Sequence, residues 1–96
     1  MPADLDPEFF DRADAHINLS NKQVGKVSRG KVSASMLYSA ARFNAWVSAC
    51  GFDTGAEMRD KKQEILAYIV EEYTKMLEEN LDDYADNFDR YMKQAQ

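Results

Sequence analysis

Apolar residues dominate the middle of the chain, between residues 32 and 50. This stretch reads VSASMLYSAARFNAWVSAC and contains one charged side chain, that of Arg42. A helix that is apolar on nearly all sides is usually surrounded by other elements. The pattern therefore predicts a helix over residues 32–50 that lies in the core of a small helical protein, with Gly51 ending it.

Before this stretch, apolar side chains recur every three or four residues, as they do in an amphipathic helix. They are Phe10, Ala13, Ile17, Val24 and Val27. Asp6 is a favourable N-cap, and Pro7 suits the first helical position. We therefore expect a first helix over residues 7–28, followed by a turn at residues 28–30.

A third helix is predicted over residues 55–94. Thr54 and Glu57 have the spacing of a capping box, and no Gly or Pro follows before Gln94. One apolar stripe continues along this helix at intervals of three and four residues. Its members are Ile69, Tyr73, Leu77, Leu81, Tyr84, Phe88 and Tyr91.

These elements predict an all-α fold, an antiparallel three-helix bundle with a long third helix, and a single domain over residues 1–96. At 1.5 Å per residue the third helix would span roughly 60 Å and the second roughly 28 Å. The end of the stripe, here called the C-terminal stripe (Leu81, Tyr84, Phe88 and Tyr91), would extend past the bundle. Either the helix breaks near Asn80 and folds back as a fourth helix, or a second chain covers the stripe.

Charge is segregated along the chain, whose net charge is −5. Residues 21–50 hold five bases and no acid, whereas the segments before and after them are acidic. The overall acidity argues against binding to nucleic acid or to anionic lipid. Three of the bases, here called the basic turn (Lys26, Arg29 and Lys31), lie around the predicted turn. They either bind a phosphate or carboxylate ligand or complete the helix dipoles and pair with the acidic half of the third helix.

Neither a catalytic nor a cofactor motif is found. The run from Gly25 to Lys31 resembles a P-loop, but Val32 replaces the hydroxyl residue that would contact magnesium. His16 is the single histidine and Cys50 the single cysteine, which is interpreted as a buried thiol. We therefore expect a protein that is not an enzyme, with no cofactor and no metal. No signal peptide or membrane span is predicted, which favours a cytoplasmic location.

Arg42 and Asn44 are polar residues within the least polar helix, so either they reach the surface or they are paired inside the protein. A buried arginine needs a carboxylate partner, for which Asp14 and Glu72 are candidates. If they are buried, we predict a polar pair that fixes the packing of the helices; the alternative is a recognition arginine in a groove.

Two runs resemble a family of small bacterial proteins catalogued as a domain of unknown function, number 3144. They are RGKVSASMLY at residues 29–38, continued by AARFNA at residues 40–45, and MLEENLDDY at residues 76–84. The resemblance covers roughly residues 9–89. It implies a compact helical domain with no assigned activity and supplies no catalytic residues.

The leading hypothesis is therefore a non-enzymatic interaction module that forms a homodimer through the C-terminal stripe, or binds another protein there. Aromatic side chains usually dominate the energy of such interfaces. The alternative is a small regulator that binds an anionic ligand at the basic turn.

Overall fold

A computed structural model describes residues 6–93 of the chain. Over this range the structure is all-α, as predicted, and contains no β-strand. The helices are α1 (Phe9–Val24), α2 (Arg29–Ala49), α3 (Gly55–Asp60), α4 (Lys62–Asp86) and α5 (Phe88–Met92). The chain divides after Asp53 into two compact units, the first with α1 and α2 and the second with α3 to α5. The single-domain organisation stays a prediction.

In the N-terminal unit, α1 and α2 form a helical hairpin. The N–H groups of Lys26 and Val27 both donate to the carbonyl of Gln23, at 2.9 and 3.1 Å, which closes the end of α1. Farther from the turn, the Ser20 hydroxyl lies 3.7 Å from the sulfur of Met36 and connects the two helices. Val32, 4% exposed, is the one buried side chain in the described part of the chain.

The predicted turn at residues 28–30 is wrong, because α2 begins at Arg29. Ser28 is the N-cap, and its hydroxyl accepts a hydrogen bond from the N–H of Lys31 at 3.4 Å. Such a cap contributes about 1 kcal/mol, which offsets the similar cost of placing Gly30 in a helix. The connection therefore lies at residues 25–28, and α2 starts three residues earlier than expected.

The first helix is shorter than the predicted range of residues 7–28. The prediction that Asp6 is its N-cap is wrong, because Glu8 is the N-cap of α1. Asp6 instead closes a turn at residues 6–9 that leads into α1. Its carboxylate accepts from the N–H of Glu8 at 2.9 Å, and its carbonyl accepts from the N–H of Phe9 at 3.0 Å.

The predicted third helix corresponds to α3, α4 and α5, which are separated by single residues. The predicted capping box at its start is confirmed, because Thr54 is the N-cap and its hydroxyl accepts from the N–H of Glu57 at 3.1 Å. Lys61 separates α3 from α4, and Asn87 separates α4 from α5. The predicted end of this helix at residue 94 lies outside the described residues.

The break predicted near Asn80 is wrong. Asn80 lies inside α4, where its side-chain amide donates to the carbonyl of Met76 at 2.8 Å and leaves the helix intact. The interruption occurs instead at Asn87, whose side-chain amide donates to the carbonyl of Asp83 at 3.1 Å and to its carboxylate at 2.9 Å. Two backbone bonds meet at this residue: the N–H of Asn87 donates to the carbonyl of Asp83, and the carbonyl of Asn87 accepts from the N–H of Tyr91, at 3.0 and 3.1 Å. Asn87 therefore ends α4 and begins α5, and the two helices are joined by this single residue.

Candidate interaction surface

The C-terminal stripe forms one exposed apolar surface on α4 and α5. Leu81 is 60% exposed, Tyr84 49%, Phe88 51% and Tyr91 38%. Leu81 and Tyr84 share one side of α4, and Phe88 and Tyr91 share one side of α5. The contact between the rings of Tyr84 and Tyr91 joins the two pairs across Asn87. The structure thus brings the four predicted interface residues together.

The end of the stripe is held in place by its own polar contacts. The rings of Tyr84 and Tyr91 lie 4.5 Å apart between centroids, at an interplanar angle of 33°. The Tyr91 hydroxyl donates to the carboxylate of Asp83 at 2.8 Å, while Arg90 donates to that hydroxyl at 3.1 Å and lies 4.9 Å from the ring centroid. Side chains fixed in this way lose less conformational entropy when a partner binds.

The stripe continues towards the start of α4 with a seven-residue repeat. Val70, Leu77, Tyr84 and Tyr91 are seven residues apart, and Thr74, Leu81 and Phe88 form a second such series. Both series are exposed along the helix. Two interleaved series of this kind are typical of the seam of a coiled coil. The alternating intervals of three and four residues are already visible in the sequence. The spacing alone does not show where the helix is interrupted.

Helix α2 exposes a second apolar region, contrary to the prediction that it is a core helix. Phe43 is 62% exposed and Trp46 61%, with their ring centroids 5.6 Å apart. Within its unit, α2 has α1 as its one neighbouring helix. A single neighbour covers one side of a helix, so a helix that is apolar all round stays largely exposed.

Two residues of the basic turn lie at the wrong end of a helix for their charge. Arg29 and Lys31 occupy the first turn of α2, which contains no acidic residue. The start of a helix carries partial positive charge, so cations there are unfavourable. Lys26, Arg29 and Lys31 are all exposed, and within residues 6–93 none of them forms an ion pair.

The end of α4 carries carboxylates, whose negative charge is likewise unfavourable at that end of a helix. Glu78, Asp82 and Asp86, here called the acidic row, are four residues apart and end at the last residue of α4. Glu78 lies beside the C-terminal stripe because it precedes Leu81 by three residues, whereas Asp82 and Asp86 turn progressively away from it. None of the three has an ion pair or a side-chain hydrogen bond to a described residue. The last turn of α4 holds no base.

Earlier in α4 the acids do have a cation. Lys75 lies 3.4 Å from the carboxylate of Glu71 and 3.6 Å from that of Glu72. The negative charge of Glu71, followed by that of Glu72, raises the pKa of Lys75. The acidic row begins at Glu78, three residues after Lys75.

The other predicted polar features are not assembled into a site. Arg42 and Asn44 are both exposed, so the predicted buried pair is wrong for the single chain. Cys50 is also exposed, which corrects its interpretation as a buried thiol. Among the described residues, no three His, Cys, Asp or Glu side chains are grouped so that they could hold a metal ion. None of the helices described is long and apolar enough to cross a membrane.

Comparison with known proteins places these features in a family. The family model for proteins of unknown function DUF3144 matches residues 9–85, which confirms the resemblance seen in the sequence. The NMR structure of the protein NB7890A from Shewanella sp is similar in fold, with a TM-score of 0.76 and 36% sequence identity. The match covers 98% of this chain and 100% of the Shewanella chain. No curated protein matches the chain.

Proposed function

The chain belongs to the DUF3144 family of proteins of unknown function, and we propose that it acts as a non-enzymatic interaction module that self-associates through the C-terminal stripe. The observation that supports this proposal is the exposure of Leu81, Tyr84, Phe88 and Tyr91 on α4 and α5, where the rings of Tyr84 and Tyr91 are in contact. The helix does not fold back at Asn80, because α4 is intact there. The intact helix favours the other alternative, in which a second chain covers the stripe.

The residues of the stripe suit an interface. Tyrosine combines a large apolar ring with a polar tip and is enriched at the centres of interfaces. The contacts of Tyr91 with Asp83 and Arg90 satisfy its hydroxyl without any help from a partner. Its ring is thus free to pack against a second chain, with no polar group left unpaired.

The test is light scattering after size exclusion over a concentration series. We expect the mass to approach twice the chain mass of 11.0 kDa as concentration rises. The double variant Tyr84→Ala with Phe88→Ala is expected to shift the dissociation constant upwards by at least about a hundredfold, since two truncated interface anchors cost roughly 3 kcal/mol or more together.

Tyr68→Ala is the matched control. Tyr68 is an exposed tyrosine of α4, 57% exposed, and its spacing from Leu81 places it on the other side of the helix. This variant should dimerise like the unchanged chain. A monomeric wild-type protein at every concentration would contradict the proposal, as would a double variant that keeps its mass.

A second candidate function is binding of a small anion at the basic turn. The observation that favours it is the placement of Arg29 and Lys31, unpaired within the described range, at the start of α2, where free N–H groups also attract anions. Titration with inorganic phosphate, followed by NMR, is expected to shift the amide signals of residues 28–32. No response at millimolar phosphate would remove this candidate. The cytoplasmic location stays a prediction.

A further inference from the structure

The exposed side of α4 is a continuous face that leads into the C-terminal stripe. Its members alternate at intervals of four and three residues, and all are exposed. They are Val70, Thr74, Leu77, Leu81 and Tyr84, here called the α4 face. The face lies within the second compact unit, so its layout depends on α4 alone.

One edge of the α4 face is acidic. Glu71 and Glu78 each precede a member of the face by three residues, so both lie beside it on the same side. Both carboxylates are exposed, and they are here called the acidic edge. Lys75 lies 3.4 Å from Glu71, whereas Glu78 has no ion pair among residues 54–93 of its own unit.

The opposite edge carries no charge. Its side chains each precede a member of the face by four residues, which places them on the other side of it. They are Leu66, Tyr73 and Asn80, here called the neutral edge. Leu66 is 51% exposed and Tyr73 46%, so this edge is also accessible.

The direction of a second α4 decides which edges meet. When two helices pack face to face in antiparallel directions, the same edge of each helix meets in every register. The two acidic edges would then lie against each other, and like charges at an interface weaken it. In parallel helices unlike edges meet, so each acidic edge lies against a neutral edge.

We propose that a second copy of this chain covers the α4 face in the parallel direction, with the acidic edge of each chain against the neutral edge of the other. The inference rests on the proposed self-association and adds its orientation. Tyr73 precedes Glu78 by five residues, the offset at which flanking residues of two parallel helices meet. A tyrosine hydroxyl can donate to a carboxylate, and twofold symmetry provides this contact twice.

Disulfide trapping tests the direction. In a background of Cys50→Ser, Val70→Cys and Leu81→Cys are made separately. In a parallel dimer each of these positions meets itself, so both variants are expected to form a disulfide between chains. In an antiparallel dimer at least one of the two like pairs is roughly 16 Å or more apart, because the positions differ by eleven residues. A disulfide needs Cα atoms within about 7 Å.

Tyr68→Cys in the same background is the matched control. Tyr68 is 57% exposed and lies on the side of α4 away from the α4 face. We expect Val70→Cys and Leu81→Cys each to form the disulfide at least about tenfold faster than Tyr68→Cys in a glutathione buffer, because dimerisation raises the effective concentration of their thiols. Mass spectrometry without reductant measures the linked fraction over time.

A pair of variants at Tyr73 tests the direction without cysteines. Tyr73→Lys and Tyr73→Glu both remove the ring and differ mainly in charge. In the parallel dimer the new side chain lies near Glu78 of the second copy, so Tyr73→Lys is expected to have a dissociation constant on the order of tenfold lower than Tyr73→Glu. In an antiparallel dimer two neutral edges meet, both variants add like charges, and the two constants are equal. Light scattering over a concentration series measures them.

The outcomes separate this inference from the proposed function. If the wild type is a dimer but only one of the two cysteine variants, or neither, links faster than Tyr68→Cys, self-association stands and the parallel direction is wrong. Equal dissociation constants for the two Tyr73 variants overturn it as well, and this comparison decides if reduced Leu81→Cys is monomeric. A wild-type protein that stays monomeric overturns the proposed function itself.

Discussion

Asp6, which precedes α1, forms an ion pair with Arg12, which lies in the first turn of α1. The Arg12 guanidinium donates to both carboxylate oxygens of Asp6, at 2.9 and 3.3 Å, and the N–H of Glu8 donates to one of them. The bond from Arg12, followed by the one from Glu8, holds the pKa of Asp6 below its ordinary value of 3.8. Both side chains of the pair are exposed, and exposed ion pairs add little to the free energy of unfolding. The role of the pair is therefore to fix the turn that leads into α1.

The pH dependence of this pair follows from the direction of the shift. Because the pKa of Asp6 is lowered on folding, the stabilisation is present above pH 3.8 and is lost as the pH falls through the lowered value. A carbon-detected NMR titration is expected to place the Asp6 midpoint below 3.8. Arg12→Gln should return the midpoint towards 3.8, whereas Lys22→Gln should leave it where it is. An Asp6 midpoint that Arg12→Gln does not move would contradict this assignment.

Single residues also show where the sequence was informative. Thr54 and Glu57 were recognisable as a capping box because both bonding groups lie within four residues of each other. Asn87 was not recognisable as an interruption, because its effect depends on how its amide competes for the carbonyl and carboxylate of Asp83. Local spacing does not reveal which of several asparagines will compete in this way.

At the scale of the element, the start of α2 depends on Ser28. Its hydroxyl satisfies one of the N–H groups that a helix leaves unpaired at its first turn. Ser28→Ala is expected to lower the free energy of unfolding by about 1 kcal/mol, the usual value of such a cap. Urea denaturation measures this difference.

Ser33→Ala is the control for the cap. Ser33 is an exposed serine of the same helix, and its replacement by alanine should be neutral or slightly stabilising because alanine has the higher helix propensity. Equal losses in the two variants would mean that the loss at Ser28 is not due to its role as a cap.

Elements differ in how far the sequence determines them. The helical character of residues 29–49 and 62–86 follows from apolar periodicity and from the lack of proline. The boundaries depend on caps that compete over a few residues, as Ser28 and Gly30 do. The predicted burial of α2 assumed neighbours on every side, whereas its unit supplies one. Periodicity identifies an apolar face, but it does not identify what covers that face.

For the whole molecule, the salt dependence of assembly distinguishes the contributions of apolar area and charge. The C-terminal stripe consists of apolar and aromatic side chains, so the dimer is expected to keep or increase its affinity between about 0.05 and 0.5 M salt, although the Debye length falls from roughly 14 Å to about 4 Å. Sedimentation equilibrium at several salt concentrations measures the change. A dimer that weakens several-fold as salt is added would instead indicate an interface dominated by charge pairs.

The exposed ring of Trp46 makes α2 optically visible. Trp46 is the single tryptophan of the chain, so all indole fluorescence originates from this helix. Because the ring is 61% exposed, its emission in the free chain is expected to be red-shifted and readily quenched by iodide. Any partner that covers α2 will shift the emission to the blue and protect it from the quencher, whereas one that covers only α4 and α5 will leave the spectrum unchanged. The molecule thus contains an intrinsic, label-free reporter that tells which of its two exposed apolar regions an interaction uses.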